Sequence, residues 1–390
     1  MKRIRDPRLT ILVVLACRLL VACGDSGGNA PVADQAELTA PGPYAIGTRD
    51  LTFVDTSRPT PPNGSYPGAP SRTLPTRVWY PVDPTPSTSA GTAGVGLPPA
   101  SGGPFPVVAY AHGYLANNLS GAPFGEHLAS HGYVVVAPTF PLSNGGAPGG
   151  PTFADVANQP GDLAFSVQAV AALGGEDRPI AASMDLSRQG ILGLSLGGGT
   201  VLIATYHPTL HLNGIKAAVA QAPASCFFGT DFFVQSVPTL IMGGSSDLLV
   251  PFTDSDQHSF MLAPPPVTLL ELIGGTHVGF IGIDVPGAVN SDRTVGCGAV
   301  ESAGMSGIND LITALTENGT DPGAVDAGNC NAFCSDNFAQ TMSATRQLEL
   351  ARAATLAHFD SVLRGRADAR RYLTDAIGTI NSDARVSVKQ

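Results

Sequence analysis

The apolar positions of the chain gather into short, dense runs. Pro106 to Ala111, Tyr133 to Ala137, Gly190 to Leu194, Ile215 to Ala220, Pro238 to Met242 and Val267 to Leu272 are each apolar on both faces. Runs of this length, separated by helix-length stretches, predict parallel strands covered on both sides. Two earlier runs, Tyr44 to Val54 and Leu74 to Tyr80, are β-branched and aromatic and predict two more. Helical spacing recurs over Phe124 to Ser130, Gly161 to Leu173, Ser195 to His207, Phe252 to Leu262 and Thr341 to Leu363. The expected class is α/β, a mostly parallel sheet of about eight strands with helices on both faces. The Pro-rich loop around Pro59 to Pro70 and the Pro/Gly/Ser/Thr-rich loop from Pro81 to Pro106 do not divide it, because two short strands cannot bury a core alone. One domain, 41–390, is therefore expected. Within it, residues 278–340 are Gly-rich, cysteine-bearing and too long for a simple connection, so we expect an irregular, disulfide-pinned insertion beside the site.

The N-terminus has a different pattern. Lys2, Arg3, Arg5 and Arg8 precede an apolar stretch, Ile11 to Ala16, as in an export signal. Leu20-Val21-Ala22-Cys23 then resembles the lipobox of bacterial lipoproteins, which implies a signal peptide over 1–22 and lipidation of Cys23; Cys17, after Leu15-Ala16, is a weaker rival, and Arg18 interrupts the apolar region. Residues 23–40, small and polar, read as a flexible tether. The expected location is the bacterial cell envelope, attached through lipid, with secretion as the alternative. Gly24, where an aspartate retains many lipoproteins in the inner membrane, favours the outer one. Residues 1–22 hold five of the 21 basic and one of the 31 acidic residues, so their removal takes the net charge from −10 to −14. That charge excludes a basic nucleic-acid footprint. Cys226, Cys297, Cys330 and Cys334 are an even number in an oxidising compartment and predict two disulfides with three open connectivities. Cys330 and Cys334 have no His/Cys pair at complementary spacing, so no metal is expected, and no cofactor is implied.

Candidate chemistry begins at Gly193-Leu194-Ser195-Leu196-Gly197, where an apolar run leads in and a helical pattern leads out. A serine between glycines at such a junction sits on a sharp turn that lifts its hydroxyl above the sheet. Gly24 to Gly28 matches the same spacing but lies in a polar stretch without a strand. A serine hydroxyl needs a base, and the base needs an orienting group. Asp247 follows the Pro238 to Met242 run and its Gly243-Gly244 turn; His277 follows the next run and Gly274-Gly275. Both are thus expected at the edge that carries Ser195. Asp254 and Asp256 compete for the acid's place. Of the eight histidines, His127, His131, His207, His211, His258 and His358 fall on or beside predicted helices, and His112 is expected to shape a loop. The backbone N–H groups of Leu196 and Tyr114, the latter after Ala111-His112-Gly113, are the expected oxyanion donors.

On these motifs, with Gly42-Pro43-Tyr44, Glu126 to Tyr133 and Asn158 to Asp162, the chain resembles dienelactone-hydrolase-like and platelet-activating-factor-acetylhydrolase-like α/β-hydrolases. It is also similar to bacterial cutinase-like polyester hydrolases in Gly113-Tyr114, Ser195 to Gly199, Gln221-Ala222-Pro223, Val237 to Ile241 and Gly274 to His277. The resemblance implies an α/β-hydrolase fold and a serine carboxylic-ester hydrolase acting on short or medium acyl esters, aliphatic polyesters or phospholipid acyl groups. Ala224 departs from the tryptophan of the polyester hydrolases, which leaves Phe227 or Phe228 as substitutes on aromatic polyesters. Two other functions fit the same residues: an amidase or peptidase with this triad, and a lipid-anchored binding protein that lost the chemistry.

Overall fold

The computed structural model describes residues 31–303, 307–317, 325, 330 and 333–390. The signal and lipidation readings, on residues 1–23, lie outside them. The fold belongs to one unit, Val32–Gln390. Its strands are β1 (Ala45–Asp55), β2 (Arg72–Val82), β3 (Ala93–Val95), β4 (Phe105–Ala111), β5 (Val134–Pro138), β6 (Met184–Leu194), β7 (Ile215–Gln221), β8 (Thr239–Gly244), β9 (Val267–Leu272) and β10 (Ala384–Lys389). They form a single ten-stranded sheet in the order β10-β9-β8-β7-β6-β4-β5-β2-β1-β3. The six strands from β5 to β9 in that order pair in parallel, while β1, β2 and β10 join antiparallel. All eight expected strands are present, and the sheet exceeds the expectation by two. The added β3 has three residues in a Gly-rich loop, and β10 alternates Val with Arg and Ser as a half-exposed edge. Neither carries the doubly apolar signature of the inner strands.

The helices are α1 (Gln35–Thr39), α2 (Ala122–Ser130), α3 (Gln159–Ala171), α4 (Arg178–Ala182), α5 (Leu196–Tyr206), α6 (His258–Leu262), α7 (Ser291–Ala303), α8 (Gly307–Glu317), α9 (Ala344–Leu363), α10 (Ala367–Arg371) and α11 (Ile377–Ile380). Alternate residues of each inner strand feed two cores. Val107, Ile191, Ala218 and Ile241 pack with Leu163 and Val167 of α3 and Val201 and Ile203 of α5. Val108, Leu192, Val219 and Leu240 pack on the other face with Phe124 and Leu128 of α2 and Leu350 and Ala354 of α9. A sheet so covered is apolar on both faces because neither meets water. No helix among the described residues is long and apolar enough to cross a membrane.

Two expectations need correction. The polar stretch to residue 40 is not tether throughout. Asp34 caps α1, Leu38 is buried, and ring nitrogens of His127 and His131 bond the Leu38 and Ala40 carbonyls. One buried leucine inside a polar segment leaves almost no trace in composition. Residues 278–340, expected to be irregular, carry α7 and α8, with Leu311 and Leu315 of α8 buried in the first core. Gly and Ala in place of long apolar residues hid α7. The insertion is pinned by Cys226–Cys330 and Cys297–Cys334, one of the three pairings left open.

Candidate active site

Ser195 stands between β6 and α5 with φ 60° and ψ −121°, a conformation that costs an L residue about 1–3 kcal/mol. The surroundings hold it there. Its N–H donates to Gln221 O at 2.9 Å, and its carbonyl accepts from Gly199 and Ala224. A Cβ on Gly193 would lie 2.2 Å from Gly197 O, and one on Gly197 would lie 2.1 Å from Ala111 O. Any larger residue would therefore push the turn apart.

β8 and β9 pair in parallel from Thr239–Val267 to Gly244–Leu272, so their following turns leave the sheet together. Those turns deliver Asp247 and His277, both buried. His277 Nδ1–H donates to Asp247 Oδ2 at 2.7 Å, and Asp247 Oδ1 accepts the N–H groups of Leu249 and Val250 at 2.8 and 2.7 Å. Burial pulls the His277 pKa down, but the charge and hydrogen bond of Asp247, with the charge of Asp292, outweigh it and leave the ring more basic than usual. The Nδ1 bond leaves Nε2 as the nitrogen to face a reacting group. Ser195 emerges at the same sheet edge, but its hydroxyl shares no hydrogen bond with His277. Such bonds often tighten only around substrate.

β4, also parallel, ends beside the serine: a Cβ on Gly113 would approach Ser195 Cβ to 3.3 Å. The next residue, Tyr114, stacks its ring on Phe153 at 4.1 Å and donates its hydroxyl to Pro151 O. Its backbone N–H and that of Leu196, first residue of α5, donate to no protein acceptor among the described residues. β4 and β6 flank the point where strand order reverses, the usual place for a ligand in an open parallel sheet.

A family profile described as PET hydrolase-like matches residues 81–278, half of the chain. The chain belongs to the PET hydrolase-like family. Cutinase 2 of Thermobifida cellulosilytica is 28% identical over 184 residues, covering 46% of this chain and 63% of the relative. Cutinase cut1 of Thermobifida fusca is 28% identical over the same length, covering 46% and 51%. The chain thus spans less than two thirds of the length of these relatives. The matched stretch of this PET hydrolase-like chain contains Tyr114, Ser195, Leu196, Asp247 and His277 and stops at the first residue of the 278–340 segment.

Within the PET hydrolase-like frame, the other candidates resolve. Phe227 and Phe228 are buried in the first core, with Phe228 stacked on Phe232 at 3.8 Å. Trp79, the sole tryptophan, is buried in the second core. His112 is buried, donates Nδ1–H to Gly113 O and accepts Phe140 N–H at Nε2; burial lowers its pKa to about 4, so it stays neutral and shapes the loop. His127, His131, His211, His258 and His358 bond backbone carbonyls, and His207 accepts backbone N–H groups. Asp254 is half-buried beside Thr253. Asp256 is fully buried on the α-carbon of Gly243, and among the described residues neither carboxyl oxygen has a hydrogen-bond partner on another residue. Burial and then the nearby Asp247 charge push its pKa well above the ordinary range.

One buried acid at the site escaped sequence reasoning. Asp292, at the start of α7, accepts N–H groups from Leu248, His277 and Val278. Its only local signal is Asn290-Ser291-Asp292, a run that reads as a helix start.

Proposed function

We propose that the chain is a serine carboxylic-ester hydrolase working through an acyl-enzyme. The observation that carries this is the buried His277–Asp247 hydrogen bond at the sheet edge from which the strained Ser195 projects. Ser195 Oγ attacks the ester carbonyl while His277 Nε2 takes its proton. The N–H groups of Tyr114 and Leu196 receive the oxyanion, and losing one such donor typically costs about 2.7–4 kcal/mol. His277 then gives the proton to the leaving alcohol, and water repeats the sequence to release the acid. Asp247 holds the ring tautomer throughout. Short or medium acyl esters, aliphatic polyester and phospholipid acyl groups are the proposed substrates. Aromatic polyesters are disfavoured, because Ala224 offers no ring and the neighbouring phenylalanines are buried in the core. Lipidation at Cys23 would place the enzyme at the cell envelope, on the outer membrane.

The test is hydrolysis of a p-nitrophenyl ester chain-length series by residues 30–390, beside Ser195→Ala and His277→Ala. Turnover by the parent and a loss of about 10⁴-fold or more in both variants is expected. Well-folded parent protein that turns over no ester would refute the reading. Amide turnover would then favour the peptidase function, and failure to label with a fluorophosphonate the binding protein.

A further inference from the structure

The ladder between β8 and β9 ends at Gly244 and Leu272, and beyond it each turn must carry its side chain several residues further without sheet pairing. The two turns nevertheless meet at one carboxylate. Asp292 Oδ2 accepts Leu248 N–H at 3.0 Å and His277 N–H at 2.9 Å, while Oδ1 accepts Val278 N–H at 2.9 Å. Leu248 directly follows Asp247, so one buried side chain binds the backbone beside the acid and the backbone of the base itself. We propose that Asp292 is a positioning residue that locks the Asp247 and His277 turns at the separation their hydrogen bond requires. The inference rests on the reading of His277 as the base and names what holds it in place.

The start of α7 is itself fixed to the same turn. Asn290 Nδ2 donates to Ser246 O at 2.8 Å, and Cys334 N–H donates to Leu248 O at 2.7 Å. Leu248 is thus gripped from its N–H by Asp292 and from its carbonyl by Cys334, and Cys334 is tied back to α7 through Cys297. Arg293 bonds the Cys334 carbonyl at 2.7 Å, which turns its charge away from the pair. The titratable groups that face Asp292 are therefore Asp247 and His277, with Asp256 beyond Asp247. Burial and the Asp247 charge push Asp292 up to about 6, against the pull of His277 and the N–H donors, so it is ionised at neutral pH and supports the imidazolium.

Asp292→Asn removes the charge and one acceptor oxygen at nearly constant shape. The His277 Nδ1 proton resonance, assigned by its loss in His277→Ala, and the titration of that ring report the pair directly, whether or not an ester is turned over. In Asp292→Asn the resonance should broaden or move upfield, and the ring should titrate at lower pH than in the parent. On a p-nitrophenyl ester the acid limb of kcat/KM should move the same way. A 1 Å misplacement can cost about 10²-fold, so kcat in Asp292→Ala should fall by up to about that factor while KM stays within about threefold. Parental resonance, titration and pH profile in Asp292→Asn would overturn the proposal even if the parent proves an active esterase. If Asp292→Asn does not fold, Cys297→Ser/Cys334→Ser unpins α7 with the carboxylate in place. It should weaken the same resonance and lower kcat several-fold, and an unchanged resonance and kcat would equally overturn the proposal.

Discussion

At the scale of single residues, the neighbourhood of Asp247 is crowded with acid. Asp256 shows what that crowding costs. Among the described residues neither of its oxygens is matched by a hydrogen-bond donor from another residue, it lies against the Gly243 backbone, and burial and the Asp247 charge hold its pKa well above the ordinary range. A carboxyl whose folded pKa lies above its unfolded value binds more protons folded than unfolded, so its contribution to stability falls as pH rises above the ordinary carboxyl range. Each pH unit of that separation is worth about 1.4 kcal/mol until the folded pKa is passed. Asp256→Asn, which needs no proton to stay neutral, should therefore be more stable than the parent at pH 7. Urea melts across pH should show the gap narrowing as pH falls towards 4. A gap that is constant with pH would mean that Asp256 is charged in the fold. His112 illustrates the opposite arrangement, since its two ring nitrogens are fully used by Gly113 O and Phe140 N–H, and it needs no proton change to stay buried.

At the scale of elements, parallel pairing does most of the positioning. Because β4, β6, β8 and β9 run the same way, the turns after them share one edge, and Tyr114, Ser195, Asp247 and His277 arrive there without any long-range signal in the sequence. That is why these positions were legible: each follows a doubly apolar run and a glycine turn, both local patterns. The strand β10 and the helix α1 were not, since their burial comes from one face or one residue. α1 also gives an elemental prediction. Leu38 is 2% exposed, Gln35 bonds Asn381 and Tyr372, and His127 and His131 take their acceptors from this segment. Burying a leucine is worth about 1.5–3 kcal/mol, and orphaned buried donors add about 1–3 kcal/mol. A chain beginning at residue 41 should accordingly lose about 2–4 kcal/mol in a urea melt relative to one beginning at residue 32. Coincident melts would return residues 33–40 to the role of a free tether.

At the scale of the whole molecule, the family match ends at Val278, and the insertion that follows supplies Asp292, α7 and α8. Its contribution was illegible for a physical reason. Asp292 acts on backbone N–H groups 14 to 44 residues away, and the disulfide partners of Cys226 and Cys297 lie 104 and 37 residues on, separations that no periodicity encodes. The proposed attachment of this body to the envelope is a separate matter, argued from the N-terminal sequence and the charge. With residues 1–22 removed the net charge is −14, which repels anionic leaflets, and no described helix can span a bilayer. The anchor we propose is a set of acyl chains at Cys23, each worth about 0.8 kcal/mol per buried methylene. Cys23→Ser should shift the protein from the detergent-extractable membrane pellet to the soluble fraction, with ester turnover per molecule unchanged, whereas Cys17→Ser should leave it in the pellet. If Cys23→Ser still sediments with membranes and Cys17→Ser does not, the modified cysteine is Cys17. If both sediment, the body binds membranes without lipid, against its charge, and the anchor proposal fails.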